Sequence, residues 1–161
     1  MDSRKKLEVV NFEFNRKFSD DTFKPKKVKK RGDVFYLVSK NLYNNHNFEI
    51  YTHFDIPEDI IYFLIYCLKP VEKEKVNFCL KLLNVCNEFE RKGNYALVPN
   101  DHFISCTTVT NSLQRKHAIV NEFVSTAECS MDCILDVYDA LEKSDASAFR
   151  GWALQHGYYD L

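Results

Sequence analysis

Residues 71–110, VEKEKVNFCLKLLNVCNEFERKGNYALVPNDHFISCTTVT, decide the fold. In 71–92, Val76, Cys79, Leu80, Leu83, Cys86 and Phe89 recur at helical spacing, and Phe78, Leu82 and Val85 widen the stripe. Pro70 precedes the run, and Glu72 and Glu74 stand near the N-terminal end, where the helix dipole favours acids. Gly93 stands where a left-handed residue closes a helix. So wide a stripe predicts a helix buried on more than one side, lying across a sheet. Segments 95–98 and 103–110 then flank Pro99-Asn100-Asp101-His102, a turn by its chemistry, and so predict a hairpin.

Upstream, 34–40 reads as a strand rich in Val, Phe and Tyr, and the Asn-rich stretch 41–47 as its turn. In 48–56, Phe48, Ile50, Thr52 and Phe54 alternate against Glu49, Tyr51, His53 and Asp55, the period of a half-buried strand. Residues 60–68 are apolar throughout. Their β-branched and aromatic content, and the stop at Lys69-Pro70, favour a fully buried strand over a short helix. Downstream, Leu113, Val120, Val124, Ala127, Met131, Ile134, Tyr138 and Leu141 predict one long amphipathic helix over 112–143, with a break near Ser130. Residues 149–161 collect Trp152, Leu154, Tyr158 and Tyr159, which predicts a docked strap. The order β-β-β-α-β-β-α predicts an α+β domain over 34–161, an antiparallel sheet with two main helices packed on one face.

Residues 1–33 differ. Leu7, Val9, Phe12 and Phe14 hint at a short strand, and Lys24, Lys26, Lys27, Lys29, Lys30 and Arg31 place six cations in the eight residues 24–31. Such a block repels itself and is normally solvated, so 1–33 is expected to be an extension joined to the domain near Asp33. The block has three readings: a plain linker, a short nuclear-import signal, and a contact that neutralises phosphates by charge. Phe23 supplies little aromatic interleaving for base stacking. With 22 Lys+Arg against 23 Asp+Glu, the net charge of -1 gives no global field toward nucleic acid.

A chain of 161 residues can bury a core without staples. No apolar leader follows the Met1-Asp2-Ser3-Arg4 start, the longest apolar run is too short to span a bilayer, and the six cysteines lie mostly in apolar stretches. A reducing, cytoplasmic setting is expected, or a nuclear one if the source is a eukaryote or its virus.

Leu83-Asn84-Val85-Cys86-Asn87-Glu88-Phe89 is similar to the "LN-x-x-N" helix end of the YbjN-like proteins, which share a fold group with type III secretion chaperones. Gly93-Asn94-Tyr95-Ala96-Leu97 resembles the strand that follows it in that family, and 112–143 its closing helix; together the likeness covers roughly 34–143. The family usually opens with a helix that 1–33 does not supply, and it lacks the basic block and the 149–161 strap. The resemblance implies a non-enzymatic binding or chaperone-like module, frequently a homodimer, with no catalytic residues. From the residues alone, Asn84 and Asn87 are expected to hydrogen-bond backbone where helix meets hairpin.

No reactive constellation stands out. His102 with Cys106, and Cys129 with Cys133, share faces but read as packing surface, without Cys-x-x-Cys spacing. His46, His53, His102, His117 and His156 are scattered, and Glu49, Asp55, Glu58 and Asp59 read as outer face and turn. The expectation is therefore no catalytic, cofactor or metal residue and no membrane. The expected function is a protein-binding module, chaperone-like or regulatory, using an exposed sheet face or helix groove. Two alternatives stay open: a nuclear or nucleic-acid-associated accessory protein acting through residues 24–31, and an enzyme using Cys106 or Cys129.

Overall fold

The computed structural model describes residues 28–31, 34–55, 60–89, 93–110 and 118–145. Its strands are β1 (Val28–Arg31), β2 (Val34–Tyr43), β3 (His46–Asp55), β4 (Ile60–Cys67), β5 (Asn94–Leu97) and β6 (Ile104–Thr110). Its helices are α1 (Val76–Phe89) and α2 (Ala118–Lys143). Among the described residues all pairings are antiparallel, and the strands form one sheet in the order β1-β2-β3-β4-β6-β5. The α+β class and the expected element order hold, with β1 added in front.

β1 to β4 form a meander. β2 and β3 are joined by only Asn44 and Asn45, whose φ angles of 46° and 64° suit the two-residue turns that match strand twist. The reversal is therefore tighter than the expected 41–47 loop, and both strands run further into the asparagines. Beyond β4 the chain skips one strand position. β5 runs parallel to β4 with β6 between them, so the connection must cross a face of the sheet, and α1 makes that crossing.

Register assigns the core. Phe48 pairs with Cys67, Ile50 with Ile65, Ile65 with Cys106, and Cys106 with Tyr95, so all fall on one face, and all are buried. Cys79, Leu82, Leu83 and Cys86 of α1 and Met131, Ile134, Val137 and Leu141 of α2 fill the space above that face. Each such side chain contributes about 1.5–3 kcal/mol by leaving water. Tyr43, at the end of β2, donates a 2.7 Å hydrogen bond to Asp132 and so ties the meander to α2.

α1 begins later than the helix expected over 71–92, at the first residue of its stripe. Lys73–Lys75 form a single 3-10 turn, in which Lys75 N–H donates to the Glu72 carbonyl at 2.9 Å, and the α-helix starts at Val76. Leu80, expected in the stripe, is exposed. α2 runs through Ser130 without a break, because the Ser130 hydroxyl is used across the core, bonded to Cys106 Sγ at 3.5 Å. The helix ends in a left-handed Ser144 (φ 50°), with Asp145 N–H reaching the Ala140 carbonyl at 3.1 Å.

Gly93 does not act as a left-handed helix terminator. A Cβ there would stand 2.7 Å from Cys106 Sγ and 3.3 Å from Thr108 Oγ1, so the residue is small because β6 passes close by. Gly93→Ala is expected to lower stability by about 1–3 kcal/mol through overpacking. Chemical denaturation measures it, and an unchanged midpoint would show that Cys106 yields freely. The suggested strand near 7–14, the end of the first helix at 90–92, the start of the second at 112–117 and the 149–161 strap all lie outside the described residues.

Candidate functional site

The sheet has a second face, and among the described residues neither helix covers it. Alternation along β3 sends Glu49, Tyr51 and His53 to this side, and along β4 Tyr62, Leu64 and Tyr66, all of them half-buried. Residues 60–68 do form the expected strand. It is buried on one face only, since Phe63, Ile65 and Cys67 enter the core while Tyr62, Leu64 and Tyr66 do not. An unbroken apolar run conceals this alternation, which is why an apolar outer face was missed in the sequence.

The register pairs Glu49 with Tyr66 and Tyr51 with Leu64, building a patch across the two strands. Tyr51 and Tyr66 meet edge to face, centroids 5.8 Å apart at 89°, and the His53 ring lies 6.4 Å from Tyr51. The Tyr51 hydroxyl donates to the Glu49 carboxylate, which also lies 3.9 Å from Lys40 Nζ on β2. Leu68 and, from the 98–103 turn, Val98 and Phe103 extend the patch into an open groove of about 460 Å³. That turn is held by Val98 N–H to the Phe103 carbonyl at 2.8 Å and by His102 N–H to the Val98 carbonyl at 3.0 Å. Left-handed Asn100 (φ 68°) and His102 (φ 54°) reverse it tightly and present the exposed Asp101.

The charged residues lining the groove are Glu49 and Asp101, both acidic. Burial lowers the pKa of His53, which disfavours a positive charge on that ring. The Tyr66 phenol is pushed up, first by burial and then by the nearby Glu49 carboxylate. The surface is thus apolar and aromatic, with two acidic side chains at its rim, Asp101 and the Glu49 that faces Lys40.

The two sheet edges differ in what they offer another strand. On β5, Asn87 of α1 takes the place of a neighbouring strand: its Nδ2 donates to the Tyr95 carbonyl at 2.7 Å, and its Oδ1 accepts from Tyr95 N–H at 2.5 Å. The expected junction role of Asn87 is realised. Asn84 is exposed and makes no such bond among the described residues. The other edge is β1, in which Lys29, Lys30 and Arg31 pair with Tyr36, Phe35 and Val34. Among the described residues the sheet therefore starts at Val28, inside the basic block expected to lead up to the domain; Lys24, Lys26 and Lys27 lie outside the described residues. Lysine-rich edges resist edge-to-edge association. Replacing Lys29, Lys30 and Arg31 together by Thr is expected to give concentration-dependent aggregation, read by light scattering; a variant as monodisperse as the parent would remove this role.

The thiol candidates are less suited to chemistry. Cys106 is wholly buried and its thiol is pushed up by that burial, the opposite of an activated nucleophile. Cys129 is exposed on α2, and His102 lies in the turn before β6 rather than on the strand with Cys106. Among the described residues no three His, Cys, Asp or Glu side chains converge to hold a metal ion, and no helix is long and apolar enough to cross a membrane. The chain matches no family model, no curated protein and no solved structure. The likeness to the YbjN-like proteins therefore rests on its helix end, hairpin and closing helix alone.

Proposed function

We propose that this chain is a non-enzymatic protein-binding module, chaperone-like or regulatory, that docks an extended segment of a partner protein across the open face of its sheet. The observation that carries the reading is the patch of Tyr51, Leu64, Tyr66 and Phe103, bordered by Glu49 and Asp101, which no helix among the described residues covers. Aromatic side chains of this kind anchor protein partners by burying large, rigid surface. The two acids choose the partner's charge: a segment with a basic side chain gains from them, and a phosphate backbone is repelled. The groove is open along one side, which suits a chain laid over it better than an enclosed small molecule. Asn87 on one edge and the cations of β1 on the other direct a partner to the face rather than to strand addition. The resemblance to the YbjN-like proteins supports the same class of function, as does the expected cytoplasmic setting.

The test uses two synthetic peptides of alternating apolar residues, one with a central Arg and one with Glu there, and a photoreactive phenylalanine analogue in place of Leu64 in the full chain. The Arg peptide should cross-link at position 64, bind more tightly than the Glu peptide, and weaken with Glu49→Gln and Asp101→Asn. Equal binding of both peptides would overturn the charge assignment. Cross-linking only to a second copy would make the face a homodimer interface, and cross-linking only to residues 146–161 would make it a seat for the chain's own end; either result contradicts the proposal.

The nucleic-acid reading has one supporting observation, the concentration of Lys29, Lys30 and Arg31 along the outermost strand. On that reading, single-stranded RNA would bind with a salt dependence that falls when these three residues are neutralised. On the reading favoured here, neutralisation leaves RNA binding unchanged and lowers solubility.

A further inference from the structure

Where α1 crosses α2, the sulfur atoms of Cys86 and Cys133 lie 3.4 Å apart, neither of them in a disulfide. They are 47 residues apart in sequence and reach each other only in the folded chain. Cys86 is buried at 2 % exposure and Cys133 is partly buried against the core, so Cys133 is the less shielded residue of the two. The Tyr95 hydroxyl ends in the same space, with the side chains of Cys133, Cys106 and Ser130 as its neighbours. A phenolic O–H beside a sulfur can donate a hydrogen bond to negative charge formed there.

We infer that Cys86 and Cys133 are a redox modification site, a dithiol that a peroxide converts to a disulfide joining α1 to α2. The thiolate of Cys133, the less buried of the pair, attacks one peroxide oxygen; the O–O bond breaks, hydroxide leaves, and Cys133 becomes a sulfenic acid. The Cys86 sulfur then attacks the Cys133 sulfur, the S–O bond breaks, and the Cys86 proton leaves with the oxygen as water. Two thiols are oxidised by two electrons and one hydrogen peroxide is reduced to two waters. The sulfurs must close from 3.4 Å to the covalent length of about 2.05 Å, a small movement for two side chains already in contact. Cys129 is on the same helix and fully accessible, yet it has no such neighbour and would be left a thiol, a sulfenic acid or an intermolecular link.

The experiment treats the full chain with hydrogen peroxide and compares intact masses with and without reductant. The expected product is a monomer lighter by two hydrogens. Cleavage on the N-terminal side of Asp132 separates Cys129 from Cys133, cleavage after Lys81 separates Cys86 from Cys67 and Cys79, and the two together should yield a peptide pair joined through Cys86 and Cys133. Cys129→Ser should behave as the parent, and Cys133→Ser should neither lose the hydrogens nor form the pair. The oxidised parent should melt at a higher temperature than the reduced one, because the bond closes a long loop in the unfolded chain. A Cys129-linked dimer as the main product, a joined pair through any other cysteine, or an oxidised chain that melts lower would each overturn the assignment.

Discussion

Asn87→Ala is expected to lower unfolding free energy by about 2–4 kcal/mol, more than its single half-buried side chain suggests. The side chain provides one donor and one acceptor to the same residue, Tyr95, which has β6 on one side and, among the described residues, no strand on the other. Tyr95 is 2 % exposed, so water does not readily replace the lost partners. Truncation leaves one N–H and one C=O unsatisfied and loosens the contact that seats α1 on the sheet edge. Asn87→Asp keeps an acceptor for the N–H but sets a carboxylate oxygen against the Tyr95 carbonyl, and is expected to be at least as damaging. Asn84→Ala, one turn away and exposed, should change stability by less than about 0.5 kcal/mol. Urea unfolding with constant slope gives all three values; equal effects at 84 and 87 would show that the paired hydrogen bonds carry no weight.

Tyr66→Ala should act on binding instead. Removal of a central aromatic anchor at a protein interface commonly costs about 2 kcal/mol or more, which is roughly a thirtyfold loss of affinity. The same change should reduce stability by under about 2 kcal/mol, since Tyr66 is half-buried on the face that the helices leave open. Three positions earlier on β4, Phe63→Ala should do the reverse, costing about 3–5 kcal/mol of stability. Phe63 is 2 % exposed and enters the core, so its loss leaves a cavity. Side chains alternate along a strand, so the odd and even positions of β4 should divide cleanly into stability and binding residues. Calorimetric titration with the Arg peptide, beside thermal unfolding, reads both. A Tyr66→Ala variant that binds as the parent does would remove the aromatic patch from the proposed site.

Much of this arrangement was legible in the residues, and the losses have physical causes. The stripe in 76–89 and the Pro-Asn-Asp-His turn announced α1 and the β5–β6 hairpin, because helical spacing and turn chemistry are local properties. Composition also chose strand over helix correctly for β4. It failed on orientation, since nine apolar residues in succession carry no alternation from which to tell a core face from an outer one. Gly93 shows the same limit: its neighbour in the sequence is a helix end, but the atom that constrains it is Cys106 Sγ, and only the pairing of β5 with β6 brings that sulfur near. The division of roles between Asn84 and Asn87 depends on which side of α1 meets β5, again a tertiary fact. The docking groove assembles β3, β4 and the 98–103 turn, segments no short motif links, and the Cys86–Cys133 contact is equally non-local.

The most direct test of the proposed site is a titration of isotope-labelled full-length chain with the Arg peptide, followed by amide and aromatic chemical shifts. Docking on the open face predicts that the largest changes fall on Glu49, Tyr51, His53, Leu64, Tyr66 and Phe103, with the buried Ile50, Ile65 and Met131 on the helix-covered side little moved. Shifts concentrated on β1 or on the outer side of α1 around Leu80, with Tyr51 and Tyr66 unmoved at saturating peptide, would contradict it.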